Sequence, residues 1–204
     1  MKIITISREF GSGGRELGKR MADILGFDYY DSEIISAVAQ KSGMEEKYVE
    51  NVLDNHGWQN IPISFMGTIG SSGYVNSSAV NLLLQQKKVI EDIAALGKDF
   101  VIVGRNADVI LSKYKPLNIF VCADISAKIK RCQQRAKPDE NLTEQQLVRK
   151  IKKIDKMRSK TRTILSGQSW GERKDYHLTV NTTDWEIKPL SLSLSRFAED
   201  WFNK

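Results

Sequence analysis

The sequence predicts an α/β fold built on a parallel, doubly wound sheet. Three observations carry that reading: short β-branched strand runs alternate with helical periodicities, the first run ends in a glycine-rich turn, and a helix follows at once. The chain has 204 residues, 41% hydrophobic and 27% charged, which suits one domain spanning 1–204 with apolar residues enough for a sizeable core.

Taken in order, the strand patterns fall at Lys2–Ser7, Phe27–Tyr30, Phe100–Gly104, Leu117–Cys122 and Tyr176–Asn181. Helical spacing fills the gaps. Leu17, Met21 and Leu25 recur at i, i+4, i+8 within Gly13–Leu25, and Leu83, Val89, Ile90, Ile93 and Ala94 share one face of Ala79–Leu96. A long basic helix is expected over Thr143–Leu165, and Leu190–Phe202 closes the chain. Short helices at Glu33–Gln40 and Glu45–Leu53, then an irregular glycine- and serine-rich stretch from Ile61 to Ser78, interrupt the alternation. A loop of that length inside a domain is usually functional, so 31–78 reads as an inserted substrate-binding lobe.

Net charge is +6, and the basic residues gather between Lys128 and Lys174 on predicted helices rather than in a tail. That distribution favours a pocket for phosphorylated small molecules over nucleic acid, because aromatic residues do not interleave with the charges before Trp170. No apolar run reaches the roughly 18 to 20 residues needed to cross a bilayer, and Met1–Ile6 is a strand pattern, not a signal peptide. Cys122 and Cys132 show neither metal-ligand nor disulfide spacing. The expectation is a cytoplasmic protein without membrane contact. His56 and His177 have no carboxylate or cysteine at useful spacing and read as structural, and Trp58 and Trp170 as packing or base-stacking residues.

The chemistry concentrates where the first strand ends, at Phe10-Gly11-Ser12-Gly13-Gly14-Arg15-Glu16. A glycine loop between strand and helix aims backbone N–H groups and the positive end of a helix dipole at one cavity, which binds phosphate. The standard loop ends Gly-Lys-Ser/Thr. With Gly13 as the last glycine, Gly14 takes the lysine position and Arg15 the hydroxyl position, leaving Arg15 as the nearest cation and Ser12 as the nearest hydroxyl. Glu16 either meets a metal or caps the helix with its charge. The Gly-x-Gly-x-x-Gly spacing of a dinucleotide site is absent. Further arginines follow later strands: Arg105 past Val101–Val103, Arg131 and Arg135 one helical turn apart, and Arg158 and Arg162 at i, i+4. Convergent arginines are what phosphoryl transfer needs, since the protein's work there is alignment and charge neutralisation.

The order of these pieces resembles the cytidylate kinase-like family. They are Ser7-Arg8-Glu9-Phe10-Gly11-Ser12-Gly13-Gly14, Phe27–Asp31, Val103-Gly104-Arg105-Asn106, Asn118–Ala123 and Asp155-x-x-Arg158, running from Met1 to about Trp185. The similar branch has a loop of the form Ser-Arg-x-Phe/Tyr-Gly-Ser-Gly-Gly. The resemblance implies a three-layer, five-stranded parallel sheet of the P-loop nucleoside kinase type, with helical monophosphate-binding and lid segments, the lid over 131–165. It implies ATP and Mg²⁺ as cofactors, with Gly11, Ser12, Gly13, Gly14, Arg15 and Glu16 around the ATP phosphates. Arg15, Arg131, Arg135 and Arg158 would act in transfer, and Arg8, Asp31, Arg105, Asn106 and Asp155 would bind the acceptor, a nucleoside monophosphate such as CMP or dCMP. Two departures stand out. Ser32-Glu33-Ile34-Ile35 follows Asp31 where proven cytidylate kinases read Thr-Gly-Ala-Met/Leu-Tyr-Arg, and Asn106 replaces an aspartate. The rival readings are a nucleotide-binding regulatory protein without transfer, and a kinase for another small acceptor.

Overall fold

The computed structural model describes residues 1–50, 53, 77–136 and 142–204. Five strands form one sheet: β1 (Ile3–Arg8), β2 (Asp28–Tyr30), β3 (Phe100–Val103), β4 (Leu117–Cys122) and β5 (Leu178–Asn181). Their order is β2-β3-β1-β4-β5, with every pairing parallel. Eight α-helices are described around it: α1 (Gly14–Leu25), α2 (Glu33–Ser42), α3 (Glu46–Glu50), α4 (Ser77–Ala95), α5 (Ala107–Ile110), α6 (Ile125–Arg135), α7 (Glu144–Ser166) and α8 (Ile187–Asn203).

The period of two along the central strands explains the three layers. Ile4, Ile6, Val101, Val103, Ile119 and Val121 face α1 and α8, joining Leu17, Met21, Leu190 and Leu194 in one core. Ile3, Phe100 and Ile102 face the other way, against Ile34, Leu82, Ile90 and Met157 of α2, α4 and α7. A third, smaller cluster joins Ile129 of α6 to Leu147 and Ile151 of α7, with Phe10 packed against it. The apolar spacing predicted for the first helix is thus its buried stripe, and Gly18 lets that stripe sit close: a Cβ there would lie 2.7 Å from Val103 Cγ2.

The predicted strands all form, and the helix boundaries shift by a few residues. Thr143 caps α7 by accepting a hydrogen bond from the Gln146 amide while the Gln146 side chain accepts from the Thr143 amide, a capping box that fixes the start of that helix. The segments expected to form an inserted lobe (31–78) and a lid (131–165) are described only in part. Most of the irregular stretch, and His56 and Trp58 before it, lie outside the described residues, as do residues 137–141. Ser77 and Ser78, predicted as irregular, open α4.

Candidate active site

The central strands β1 and β4 lie side by side, so their C-terminal ends open at one edge, where parallel sheets receive ligands. There Gly11 and Gly13 adopt φ of +79° and +85°, conformations that side chains oppose. Gly13 precedes α1 without any side-chain hydrogen bond capping that helix, so the positive helix end is left to a ligand. The loop is also tight from outside. A Cβ at Gly13 would lie 2.6 Å from Ile187 Cδ1, and one at Gly11 would lie 3.2 Å from Cys132 Sγ.

Two cavities meet at this loop. The first, about 290 Å³, is bounded by the glycine loop, Arg131 and Arg135 of α6 and Lys150 of α7. The second, about 280 Å³, is bounded by Arg105, Asn106, Gln86 of α4, and Trp170. Arg8, Phe10, Arg15 and Arg158 line both. Trp170 stands edge-on to Phe120 with ring centres 5.3 Å apart, which fixes its place on that wall.

Polar and charged contacts hold the loop to α6 and α7. The Phe10 amide donates to Asp155 Oδ1 at 2.7 Å, and Arg158 donates to the Arg8 carbonyl at 2.9 Å. Lys128 of α6 pairs with Glu9 at 2.7 Å and Asp155 at 3.5 Å. The Ser12 hydroxyl donates to the Glu9 carbonyl at 2.8 Å, and the Thr182 hydroxyl lies 2.7 Å from the Ser12 carbonyl. Arg131 donates to Thr182 Oγ1 at 3.2 Å and to the Trp185 carbonyl at 3.1 Å; burial and the neighbouring Arg135 lower its pKa. Arg135 pairs with Glu16.

The expected site residues therefore separate. Arg8, Gly11, Gly13, Gly14, Arg15, Arg131, Arg135 and Arg158 surround the first cavity, and Arg105 and Asn106 join Arg8, Arg15 and Arg158 at the second. Ser12, fully buried, and Asp31, 3% exposed, stand behind those walls. Asp31 is held by Arg15 and, at 3.7 Å, by Arg8. Glu16 is engaged by Arg20 and Arg135. Arg162 does not join its helical neighbour Arg158 at the cavities: it turns inward to Asp108, and only 2% of its side chain is exposed. Lys128, Glu9, Lys150, Gln86 and Thr182 are additions. Lys128 was within reach of the sequence, since it precedes Arg131, Cys132 and Arg135 on the same helical face. His177 accepts from the Asn118 amide at 3.0 Å and packs on Trp201, a structural role.

Burial raises the pKa of Asp155 above its ordinary 3.8, against the opposing pull of the Phe10 amide, Arg158 and Lys128. The native state thus holds this proton at a pH where the unfolded chain has released it, so the group's contribution to stability falls as pH rises through that window. Wild type should accordingly gain stability relative to Asp155→Asn as the pH is lowered from neutrality to about 4. Urea midpoints of the two proteins at several pH values test this; a difference independent of pH contradicts it.

A nucleotide's phosphates fit the first cavity: glycines where side chains would intrude, an uncapped helix start, and cations around it. A protein-held Mg²⁺ fits less well. Arg15 stands where the standard loop offers a hydroxyl, and the Ser12 hydroxyl is donated to Glu9. No metal ligand is therefore assigned.

The parallel sheet in the order β2-β3-β1-β4-β5, with helices on both faces, is that of a P-loop kinase architecture. The family model described as the cytidylate kinase-like family matches residues 3–184, and the chain belongs to that family. No curated protein matches it. Among solved structures, an uncharacterized protein from Eubacterium ventriosum is similar at a TM-score of 0.71 and 23% identity, over 98% of this chain and 99% of the other. Shikimate kinase from Bacteroides thetaiotaomicron is similar at TM-score 0.57 and 11% identity, over 97% and 98%. Shikimate kinase from Acinetobacter baumannii, in complex with shikimate, gives 0.53 and 13%, over 98% and 94%. At these identities the likenesses establish the fold. Family and fold mark the chain as kinase-like, of the class that handles nucleotides or other small molecules. Among the described residues no helix is long and apolar enough to cross a membrane.

Proposed function

We propose that the protein transfers the γ-phosphoryl group of ATP to a nucleoside monophosphate, with CMP and dCMP as the first acceptors to test. The observation that carries this reading is the meeting of two cavities across Arg8, Phe10, Arg15 and Arg158. The ATP phosphates would lie on the glycine loop in the first, beside Arg131, Arg135 and Lys150. The acceptor would lie in the second, its phosphate toward Arg105 and its base toward Gln86, Asn106 and Trp170. Mg²⁺ would arrive on the ATP phosphates and neutralise part of their charge. Arg158, anchored to the Arg8 carbonyl with its guanidinium 5.9 Å from the Phe10 ring centre, would meet the group in transit. Cations so fixed stabilise developing charge without reorganising. An acceptor phosphate is ionised at neutral pH, so no general base is required. Cytoplasmic action suits two cysteines that form no disulfide.

A coupled assay of ADP release with CMP, dCMP, UMP and AMP tests this directly. Turnover with one of them is expected, and Arg158→Met should lower kcat by about 10²- to 10³-fold, the usual cost of one such preorganised charge contact. Absence of turnover with all four would refute the acceptor class. Gly14 at the lysine position favours a second reading, a nucleotide-binding protein without transfer. Calorimetric ATP binding with no acceptor consumed would identify it.

A further inference from the structure

The standard phosphate loop reads Gly-x-x-x-x-Gly-Lys-Ser/Thr, so its first glycine precedes its lysine by six residues. With Gly13 as the second glycine, the first glycine's place falls on Arg8 and the lysine's on Gly14. An arginine stands where the pattern has a glycine, and a glycine stands where it has the cation. The geometry ties the two changes together. A Cβ at Gly14 would lie 2.6 Å from Arg8 Cβ and 3.1 Å from Arg8 Cγ. The Arg8 Cβ is fixed by its own backbone, so no rotation of the side chain relieves the closer contact. A lysine at 14 and an arginine at 8 therefore exclude one another.

We propose that the two positions have exchanged duties: Arg8 supplies from the end of β1 the phosphate-contacting cation that standard loops supply from the helix. This rests on the phosphate-loop reading above and gives it a charge where the lysine is missing. Arg8 lines both cavities and its side chain is 13% exposed. Arg15 also lines both, but 65% of its side chain is exposed and its Nε is engaged by Asp31, which makes it a rim residue. The Arg8 guanidinium passes over Gly104, where a Cβ would lie 1.5 Å from Nη1. Asp31 stands 3.7 Å behind it as a buried counter-charge, and Arg158 is keyed to its carbonyl oxygen. One charge thus sits on the seam where β- and γ-phosphates of a nucleotide on the loop would lie. A planar guanidinium can grip two phosphate oxygens at once, which an ammonium cannot do as rigidly.

The test compares affinities for ATP and adenosine by calorimetry, since adenosine carries no phosphate for Arg8 to touch in either cavity. Arg8→Met keeps the packed stem and removes the charge. It should weaken ATP binding by about 10- to 100-fold, the scale of a bidentate charge-assisted contact, and leave adenosine binding unchanged. Gly14→Lys alone should also weaken ATP. The double variant Arg8→Gly with Gly14→Lys restores the first glycine and the lysine of the standard pattern and should bind ATP at least about tenfold better than Arg8→Gly. Arg8→Met holding ATP within about twofold, or a double variant no better than Arg8→Gly, overturns the role of Arg8 alone. A wild-type protein that does not prefer ATP to adenosine overturns the phosphate-loop reading and this inference together.

Discussion

Replacing Arg162 by alanine is expected to lower the unfolding free energy by about 3 to 5 kcal/mol, the cost of stranding buried carboxylates. Arg162 and Asp108 each expose 2% of their side chains and pair directly. Arg162 also lies 3.7 Å from Asp175, donates to Gln168 at 2.9 Å and sits 5.7 Å from the centre of the Tyr176 ring. Its removal leaves Asp108, 2% exposed, without its cation and Asp175 without a guanidinium 3.7 Å away. The same surroundings push the Tyr176 phenol above its ordinary pKa, through burial first and Asp108 second. Arg162→Met combined with Asp108→Leu should cost clearly less than Arg162→Ala, because an apolar pair of similar volume carries no desolvation penalty. Urea unfolding with unchanged slope measures both. Equal losses would show that packing volume, not stranded charge, decides the outcome. The site is affected as well: this pair ties α7 to α5 one helical turn beyond Arg158, so its loss should lower transfer through Arg158's position.

That pair also marks the limit of what the sequence displays. The spacing Arg158–Arg162 is identical in kind to Arg131–Arg135, and periodicity places each pair on one helical face. Periodicity does not say what the face meets. Arg162 meets Asp108, 54 residues away, and leaves the site; Arg158 meets the loop. The sheet was legible because its signal is local: β-branched runs such as Ile3–Ile6 and Phe100–Val103 announce buried parallel strands without knowledge of their partners. The glycine loop was legible for the same reason. The loop's supports were not, because Glu9–Lys128 and Phe10–Asp155 join positions 119 and 145 residues apart. Nor was the dependence of Gly14 on Arg8, which is a steric relation visible only once strand and helix are side by side. Sequence pointed to Arg15 as the nearest substitute for the missing lysine. Proximity along the chain favoured it, whereas burial favours Arg8.

Gly104→Ala should separate backbone strain from the placement of that guanidinium. Gly104 follows β3 at φ +74° and begins three successive positive-φ residues with Arg105 at +58° and Asn106 at +51°. Alanine in that region costs about 1 to 2 kcal/mol. Its Cβ would also lie 1.5 Å from Arg8 Nη1 and 2.6 Å from Cζ, atoms at the movable end of a long side chain. The fold should therefore survive while the guanidinium leaves the seam between the cavities. Misplacement of a contact group by an ångström costs about 10²-fold in rate, and ATP affinity should fall with it. Gly97→Ala is the matched control. Gly97 has φ +72° with no atom within 4 Å of an added Cβ, so it carries the strain without the collision. Both variants should lose similar stability in thermal or urea unfolding, and only Gly104→Ala should lose ATP affinity and transfer. Equal function in the two would mean that the Arg8 guanidinium can leave the seam without consequence, and that the cation at this loop must be sought elsewhere.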